Sequence, residues 1–343
     1  MLLVACLLAS CATIAWYGQA VRGQFELLAA REKIRAVRAD PGTPPEVRRK
    51  LGVALSARDF AVRELALPDN GSYTHYVDLD REAVVWNVVA TPELDLEPKR
   101  WCYPVAGCLS YRGFFRKRAA RRLADRLAGE GMDVRVSPVA AYSTLGRFRD
   151  PVTEPMLAWG DARLAGLIFH ELAHQRVFVP GDTAFNEAYA QAVQRHGVER
   201  FLADAGRLGA LARWRERSAL QQEFVDLLLA ARADLVDLYA SELRDPEMRR
   251  AKRERLERLS DELAAWIERR GADGYEHWLE RSVNNADLAL LATYELGTDA
   301  FSALLAEYDG DFARFHRAVD RLADGSAAER ARFLNRCRTP TCP

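Results

Sequence analysis

Apolar and polar positions change their period as the chain proceeds. The first seventeen residues, Met1 to Tyr17, form an uncharged, largely apolar run. It is short for a membrane span, which needs about twenty apolar residues, and it suits the apolar region of a secretory signal. An uncleaved anchor helix is the alternative. Thr43-Pro44-Pro45-Glu46 is an N-cap signature with prolines in the first turn, and it opens a helical pattern to about Leu65. Leu67-Pro68-Asp69-Asn70-Gly71 ends that helix. β-forming segments follow at Ser72–Asp78 and Ala83–Val89, and Trp101–Cys108 reads as a compact loop. A basic helix from about Phe114 to Leu127 leads into further strand material, Asp133–Thr144. From Asp161 the periodicity is helical almost to the end. Asp245-Pro246-Glu247 separates two long segments, about Glu216–Leu243 and Pro246–Arg270, the second closed by Gly271; they predict an antiparallel helical hairpin. No internal repeat is visible. The pattern predicts a predominantly helical α+β fold: a signal peptide at 1–10, a lipidated N-terminus and tether at 11–42, a mixed α/β part at 43–150 and a helical part at 151–343.

Composition narrows the class. The chain has 343 residues, 49% hydrophobic, and its 49 Lys+Arg balance 49 Asp+Glu. That excludes a charge-skewed disordered chain and, with no global basic footprint, argues against a nucleic-acid partner. Arg112–Arg122 carries basic residues and no acid; it reads as a solvated helix face or as a contact with an anionic leaflet. Leu8-Ala9-Ser10-Cys11 resembles a bacterial lipobox, which makes Cys11 the lipidation candidate. No Lys or Arg precedes the apolar run, a departure from that pattern. With Ala12 rather than Asp after the cysteine, the expected location is periplasmic, lipid-anchored to the outer membrane. Cys102, Cys108, Cys337 and Cys342 remain as disulfide candidates. Pairing within Cys102/Cys108 and within Cys337/Cys342 is the simplest connectivity for an oxidising compartment. A four-cysteine zinc site competes, although neither pair has C-x2-C spacing.

The chemistry concentrates in His170-Glu171-Leu172-Ala173-His174, an H-E-x-x-H motif inside an apolar helical run. Four-residue spacing puts both imidazoles on one helix face, where they can bind one Zn²⁺. Glu171 can then reach the water rather than the metal. A third ligand is needed, and Glu187 lies thirteen residues past His174 in a second helical pattern. Gly181-Asp182-Thr183 supplies the turn and cap between the two helices. A third histidine ligand at 180 is excluded by Pro180. His196, nine residues beyond Glu187, falls on the opposite helical face. Two histidines, a glutamate and a water are a catalytic zinc set.

On these residues the chain resembles gluzincin metallopeptidases, and more closely a family of bacterial aminopeptidase lipoproteins. The resemblance also rests on Trp16-Tyr17-Gly18-Gln19-Ala20 with Gly23-Gln24, on Trp101-Cys102-x-Pro104-Val105-Ala106-Gly107-Cys108, on Tyr142-Ser143-Thr144-Leu145-Gly146, and on Asn284-Asn285-Ala286 with Tyr294. It implies a zincin-like helix and amide hydrolysis with Glu171 as general base. Tyr294, in the family-like C-terminal stretch, is the candidate catalytic oxyanion donor, with Tyr189 second; either is equally well a buried tyrosine with a satisfied hydroxyl. Ala140–Phe148 is a candidate edge for aligning substrate, or a plain sheet edge. Asp150 and Glu154 are candidates for reading a substrate α-ammonium. The expected function is a zinc aminopeptidase acting on a peptide or protein. An envelope endopeptidase is the runner-up. A scaffold whose long helices bind a protein partner is the non-catalytic alternative.

Overall fold

In the computed structural model, residues 2–103, 107–141, 143–295 and 297–337 are described, with side chains from residue 16 onward except 290 and 292–295. The chain begins with α1 (Leu2–Ala29), β1 (Glu32–Lys33), α2 (Ile34–Ala39) and α3 (Pro45–Glu64). Next come β2 (His75–Val77), β3 (Val85–Pro92) and a hairpin of β4 (Trp101–Tyr103) and β5 (Gly107–Leu109). Then follow β6 (Arg112–Phe114), α4 (Lys117–Gly129), β7 (Met132–Val139) and β8 (Val152–Thr153). Beyond β8 the elements are helical: α5 (Glu154–Leu157), α6 (Asp161–Arg176), α7 (Thr183–Asp204), α8 (Leu208–Tyr239), α9 (Asp245–Arg270), α10 (Asn285–Glu295), α11 (Thr298–Ala306), α12 (Phe312–Ala323) and α13 (Ala327–Leu334). Helix takes 61% of the residues and strand 10%, so the fold is the expected predominantly helical α+β. The sheets are small, in the orders β1-β2-β8, β6-β3-β7 and β4-β5. No helix among the described residues is long and apolar enough to cross a membrane.

The chain divides into two compact units. One comprises Met1–Val88, Arg112–Leu123 and Val136–Arg176; the other comprises Val89–Tyr111, Ala124–Arg135 and Val177–Pro343.

In the first unit α3 lies along α6. Helical spacing puts Leu51, Ala54, Ala57 and Ala61 of α3 on one buried face, joined by Phe60, whose ring stands 6.1 Å from that of Phe169. Leu164, Ala165, Ile168, Phe169, Leu172 and Ala173 of α6 are all buried. A helix apolar on most of its circumference must sit in the core. Lys50 fixes where α6 begins, donating to Trp159 O and pairing with Asp161 at 3.1 Å. The expected Thr43 cap is not formed. Its hydroxyl donates instead to Val37 O at 2.6 Å, and α3 starts with Pro45 at its first positions, where a missing N–H costs nothing. Residues of α1 also pack: Trp16 Nε1 donates to Gly113 O, and Phe115 N donates to Gln19 Oε1. A Cβ on Gly23 would come within 2.2 Å of the Phe115 ring, so only glycine fits there. Cys11 lies in α1, and its side chain is outside the described residues.

In the second unit α8 and α9 form the antiparallel hairpin, and Gly271 closes α9 in the left-handed conformation. Phe224, Val225, Leu228, Ala231 and Leu235 meet Leu259, Leu263 and Trp266 in its seam. One buried residue joins this hairpin to the segment after β3. Asn285 donates through Nδ2 to Glu93 O and Asp95 O, both at 3.0 Å, and accepts from the Tyr239 hydroxyl. Its backbone N–H donates to Asp133, which also pairs with the buried Lys252 at 2.7 Å. Replacing Asn285 with Ala removes these side-chain bonds from a fully buried position: Glu93 O keeps Lys252 Nζ, but Asp95 O and the Tyr239 hydroxyl lose this partner, each unmade bond costing about 1–3 kcal/mol. Asn285→Ala is therefore expected to lower unfolding free energy by about 2–4 kcal/mol in urea denaturation, near the upper end for single substitutions.

Candidate metal centre

The centre is built on α6. His170 and His174 stand one turn apart on the same face, both buried at 8% exposure. Their Nε2 atoms are 3.1 Å from each other and their rings are nearly perpendicular, at 85°. Glu171 follows the first histidine and is half-buried. A six-residue connection, residues 177–182, then leads into α7, whose first turns carry Glu187, 7% exposed. One ligand atom from each of His170, His174 and Glu187 lies within 4.8 Å of the others. Among the described residues this is the group of His, Cys, Asp and Glu side chains gathered closely enough to hold a metal ion.

The donor set suits such an ion. Two nitrogens bonded at about 2.0–2.1 Å to one tetrahedral centre stand about 3.3 Å apart, close to the spacing of the histidine pair. Two neutral imidazoles and a carboxylate also leave a fourth position open for water or substrate.

Glu187 is aimed by its neighbours. The Asn186 side chain clasps the connection at both ends of one peptide pair: Val179 N donates to Oδ1 and Nδ2 donates to Val179 O, each at 2.8 Å. Asp182 caps α7 by accepting from Phe185 N. Its other oxygen accepts from Arg330 Nε of α13 at 2.6 Å, and Arg330 lies over the Phe185 ring. The Gly181-Asp182-Thr183 turn and cap therefore form where the pattern placed them. The sequence marks Asn186 only as the neighbour of Glu187 in the family-like motif and does not mark Arg330 at all, because a backbone clasp and a salt bridge across 148 residues leave no local pattern.

The segment before α6 departs from expectation. β7 ends at Val139, and residues 145–148 form a turn rather than a strand edge. Asp150 causes this. Its buried carboxylate accepts from Thr144 N at 3.1 Å, from Thr144 Oγ1 at 2.6 Å, and from Gln175 Nε2, next to His174, at 3.1 Å. Burial pushes the Asp150 carboxyl above its ordinary range, with the Thr144 bonds pulling the other way. These bonds occupy the carboxylate with holding the turn, so it does not stand free to read an ammonium group. Leu145, Gly146 and Arg149 all take positive φ to complete the turn. A Cβ on Gly146 would meet Asn70 Nδ2 at 2.6 Å and Gln175 Oε1 at 3.0 Å.

Tyr73 is a residue that sequence reasoning missed. It is fully buried with φ of 60°, a conformation costly for an aromatic residue. Burial first, then the charges of Glu171 and Asp150, push its phenol well above the usual range. Nothing in the Ser72–Asp78 pattern marks a left-handed tyrosine. The other candidates are placed as follows. The Tyr189 hydroxyl is bonded to His316 Nδ1 at 2.9 Å inside an aromatic cluster, the reading in which it is a satisfied core tyrosine. His196 is on α7 outside the triad, its pKa lowered by burial and by Arg195. Glu154 sits in the first turn of α5. Tyr294 belongs to α10, with its side chain outside the described residues, as is Tyr142. Cys102 and Cys108 form a disulfide across β4 and β5. Cys337 is also disulfide-bonded, and Cys342 lies outside the described residues.

A family model described as "Putative aminopeptidase" matches residues 15–334. The chain belongs to this family. No curated protein and no solved structure matches it. The family points to a peptidase, and the histidine–glutamate group could hold a metal ion.

His174→Ala and Glu187→Ala are each expected to lower metal affinity by more than the roughly 10–100-fold typical of outer-shell changes, whereas His196→Ala leaves it unchanged. Equilibrium competition with a chromogenic chelator measures all three.

Proposed function

We propose that this family member is a zinc-dependent aminopeptidase. The observation that carries the reading is the buried His170–His174–Glu187 group, with Glu171 one residue from the first histidine. Nitrogen-rich, tetrahedral donor sets with an open position favour zinc among the divalent ions used for hydrolysis. When bound, the ion supplies Lewis-acid chemistry, polarising a scissile carbonyl and acidifying a water. The protein's own groups do the rest. His170 and His174, buried on one face of α6, would hold the ion. Glu171 accepts a proton from the attacking water and delivers it to the departing amine. Removal of water from around the reacting groups strengthens each of these interactions. Tyr294 on α10 is the proposed donor to the developing oxyanion, a task suited to a phenol.

The uncharged run up to Tyr17 and the Leu8-Ala9-Ser10-Cys11 sequence support a lipid-anchored periplasmic setting. A disulfide between Cys102 and Cys108 is in keeping with an oxidising compartment. The substrate is then a peptide or protein of the cell envelope.

Glu171→Gln removes the base without removing a ligand, so turnover is expected to fall by about 10²–10⁴-fold while bound metal is retained. Full turnover in that variant excludes the proposed role. Free and N-acetylated versions of one peptide set, digested and followed by mass spectrometry, separate the possible activities. Stepwise trimming of the free peptides alone is the expected result. Internal cuts in both sets establish an endopeptidase instead.

A further inference from the structure

The tryptophan–cysteine strands β4 and β5 have no part in the chemistry above, yet Gly107 of β5 lies against the connection that leads to Glu187. β4 and β5 pair with Cys102 opposite Cys108 and Tyr103 opposite Gly107, and the disulfide locks that register. Gly107, with φ of 74°, is pressed against the turn at Pro180 and Gly181. A Cβ there would stand 2.6 Å from Gly181 N, 3.0 Å from Gly181 Cα and 3.1 Å from Pro180 C. All three are backbone atoms, so no side chain can move aside. Arg100, just before β4, donates from Nη2 to Gly181 O at 3.2 Å and to Cys108 O at 3.5 Å. One guanidinium thus bridges the hairpin and the turn.

From that turn the restraint passes along a short covalent path. Gly181 precedes Asp182, which caps α7 and is held by Arg330. Asn186 clasps Val179 from the far side and precedes Glu187 directly. The connection is therefore tied at two neighbouring positions, at Val179 by the clasp and at Gly181 by the hairpin. A carboxylate ligand must be held to within a few tenths of an ångström for good coordination. Residues 177–182 lie outside regular structure, and α7 begins at Thr183.

We infer that the disulfide-closed β4–β5 hairpin, acting through Gly107 and Arg100 on the Pro180–Gly181 turn, is a positioning element for the metal ligand Glu187. It touches neither the metal nor the substrate. The inference rests on the metal reading of the site, and its test keeps the two apart.

The experiment measures Zn²⁺ affinity of the full-length protein by chelator competition, together with the visible absorption of the Co²⁺-loaded form, which reports tetrahedral ligation. Wild type is compared with Gly107→Ala, Arg100→Gln and the paired Cys102→Ser/Cys108→Ser substitution. Gly271→Ala is the control: it also puts a side chain at a left-handed glycine, but with nothing within 4 Å of the new Cβ. Gly107→Ala and the paired cysteine variant are expected to lose about tenfold or more in Zn²⁺ affinity and to weaken the Co²⁺ bands. Gly271→Ala keeps wild-type values. Arg100→Gln removes two surface hydrogen bonds without touching backbone packing, so it stays folded and decides the matter if Gly107→Ala does not fold; a several-fold loss is expected. Wild-type binding with unchanged affinity and Co²⁺ absorption in Arg100→Gln and the paired cysteine variant overturns the bracing role alone. A wild-type protein that binds neither ion overturns the metal reading, and the brace with it.

Discussion

Two imidazoles and a carboxylate held away from water are the constraint on which the surrounding structure depends. His170, His174 and Glu187 are each less than a tenth exposed. Polar groups in such surroundings are tolerated only where partners stand at fixed positions, because the alternative costs several kcal/mol. A metal ion is the partner that this donor set suits. The price is rigidity elsewhere: α6 must be apolar around most of its surface so that neighbours can pack its histidines into place. Leu164, Ile168, Phe169 and Leu172 provide that surface, and α3 covers it with Ala54, Ala57 and Phe60.

Irregular segments flank the metal helix, and each is held by a buried polar side chain. Before α6, Asp150 gathers Thr144 and Gln175, bending residues 145–148 into a turn. After α6, Asn186 and Asp182 close the connection to α7. Side chain to backbone bonds of this kind give a loop one conformation where no ladder or helix can. The same device recurs at Asn285, whose amide joins the long helical hairpin to the segment after β3. Residues that resemble site residues in a motif therefore divide into two kinds. Some carry the chemistry, and others hold the backbone that carries it. Asn284-Asn285-Ala286 and Ser143-Thr144 belong to the second kind.

Much of the fold was legible from periodicity. The long α8–α9 hairpin, the left-handed close at Gly271, the apolar helix bearing H-E-x-x-H and the cap at Asp182 all depend on residues within a few positions of each other. So does the clustering of strands before residue 154. Where local signals competed, the reading slipped. Thr43 looked like a cap, but its hydroxyl found Val37 O. Residues 140–144 looked like strand, but Asp150 drew Thr144 into a turn. In both places a hydrogen bond to a residue several positions away outweighed propensity, which is worth only a fraction of a kcal/mol per residue.

By itself the sequence determined the donor set that could hold a metal ion, because helical spacing alone puts His170 and His174 on one face and Glu171 beside them. It also named Glu187, since the length of the connection limits where a returning helix can place a carboxylate. Only the tertiary structure decided what holds these groups. It put Arg330 on Asp182, Gly107 on Gly181, and Tyr73 in a left-handed conformation near Glu171 and Asp150. Those contacts join residues 74 to 148 positions apart. Burial and chain crossing select them, and neither leaves a periodic trace in the order of the amino acids.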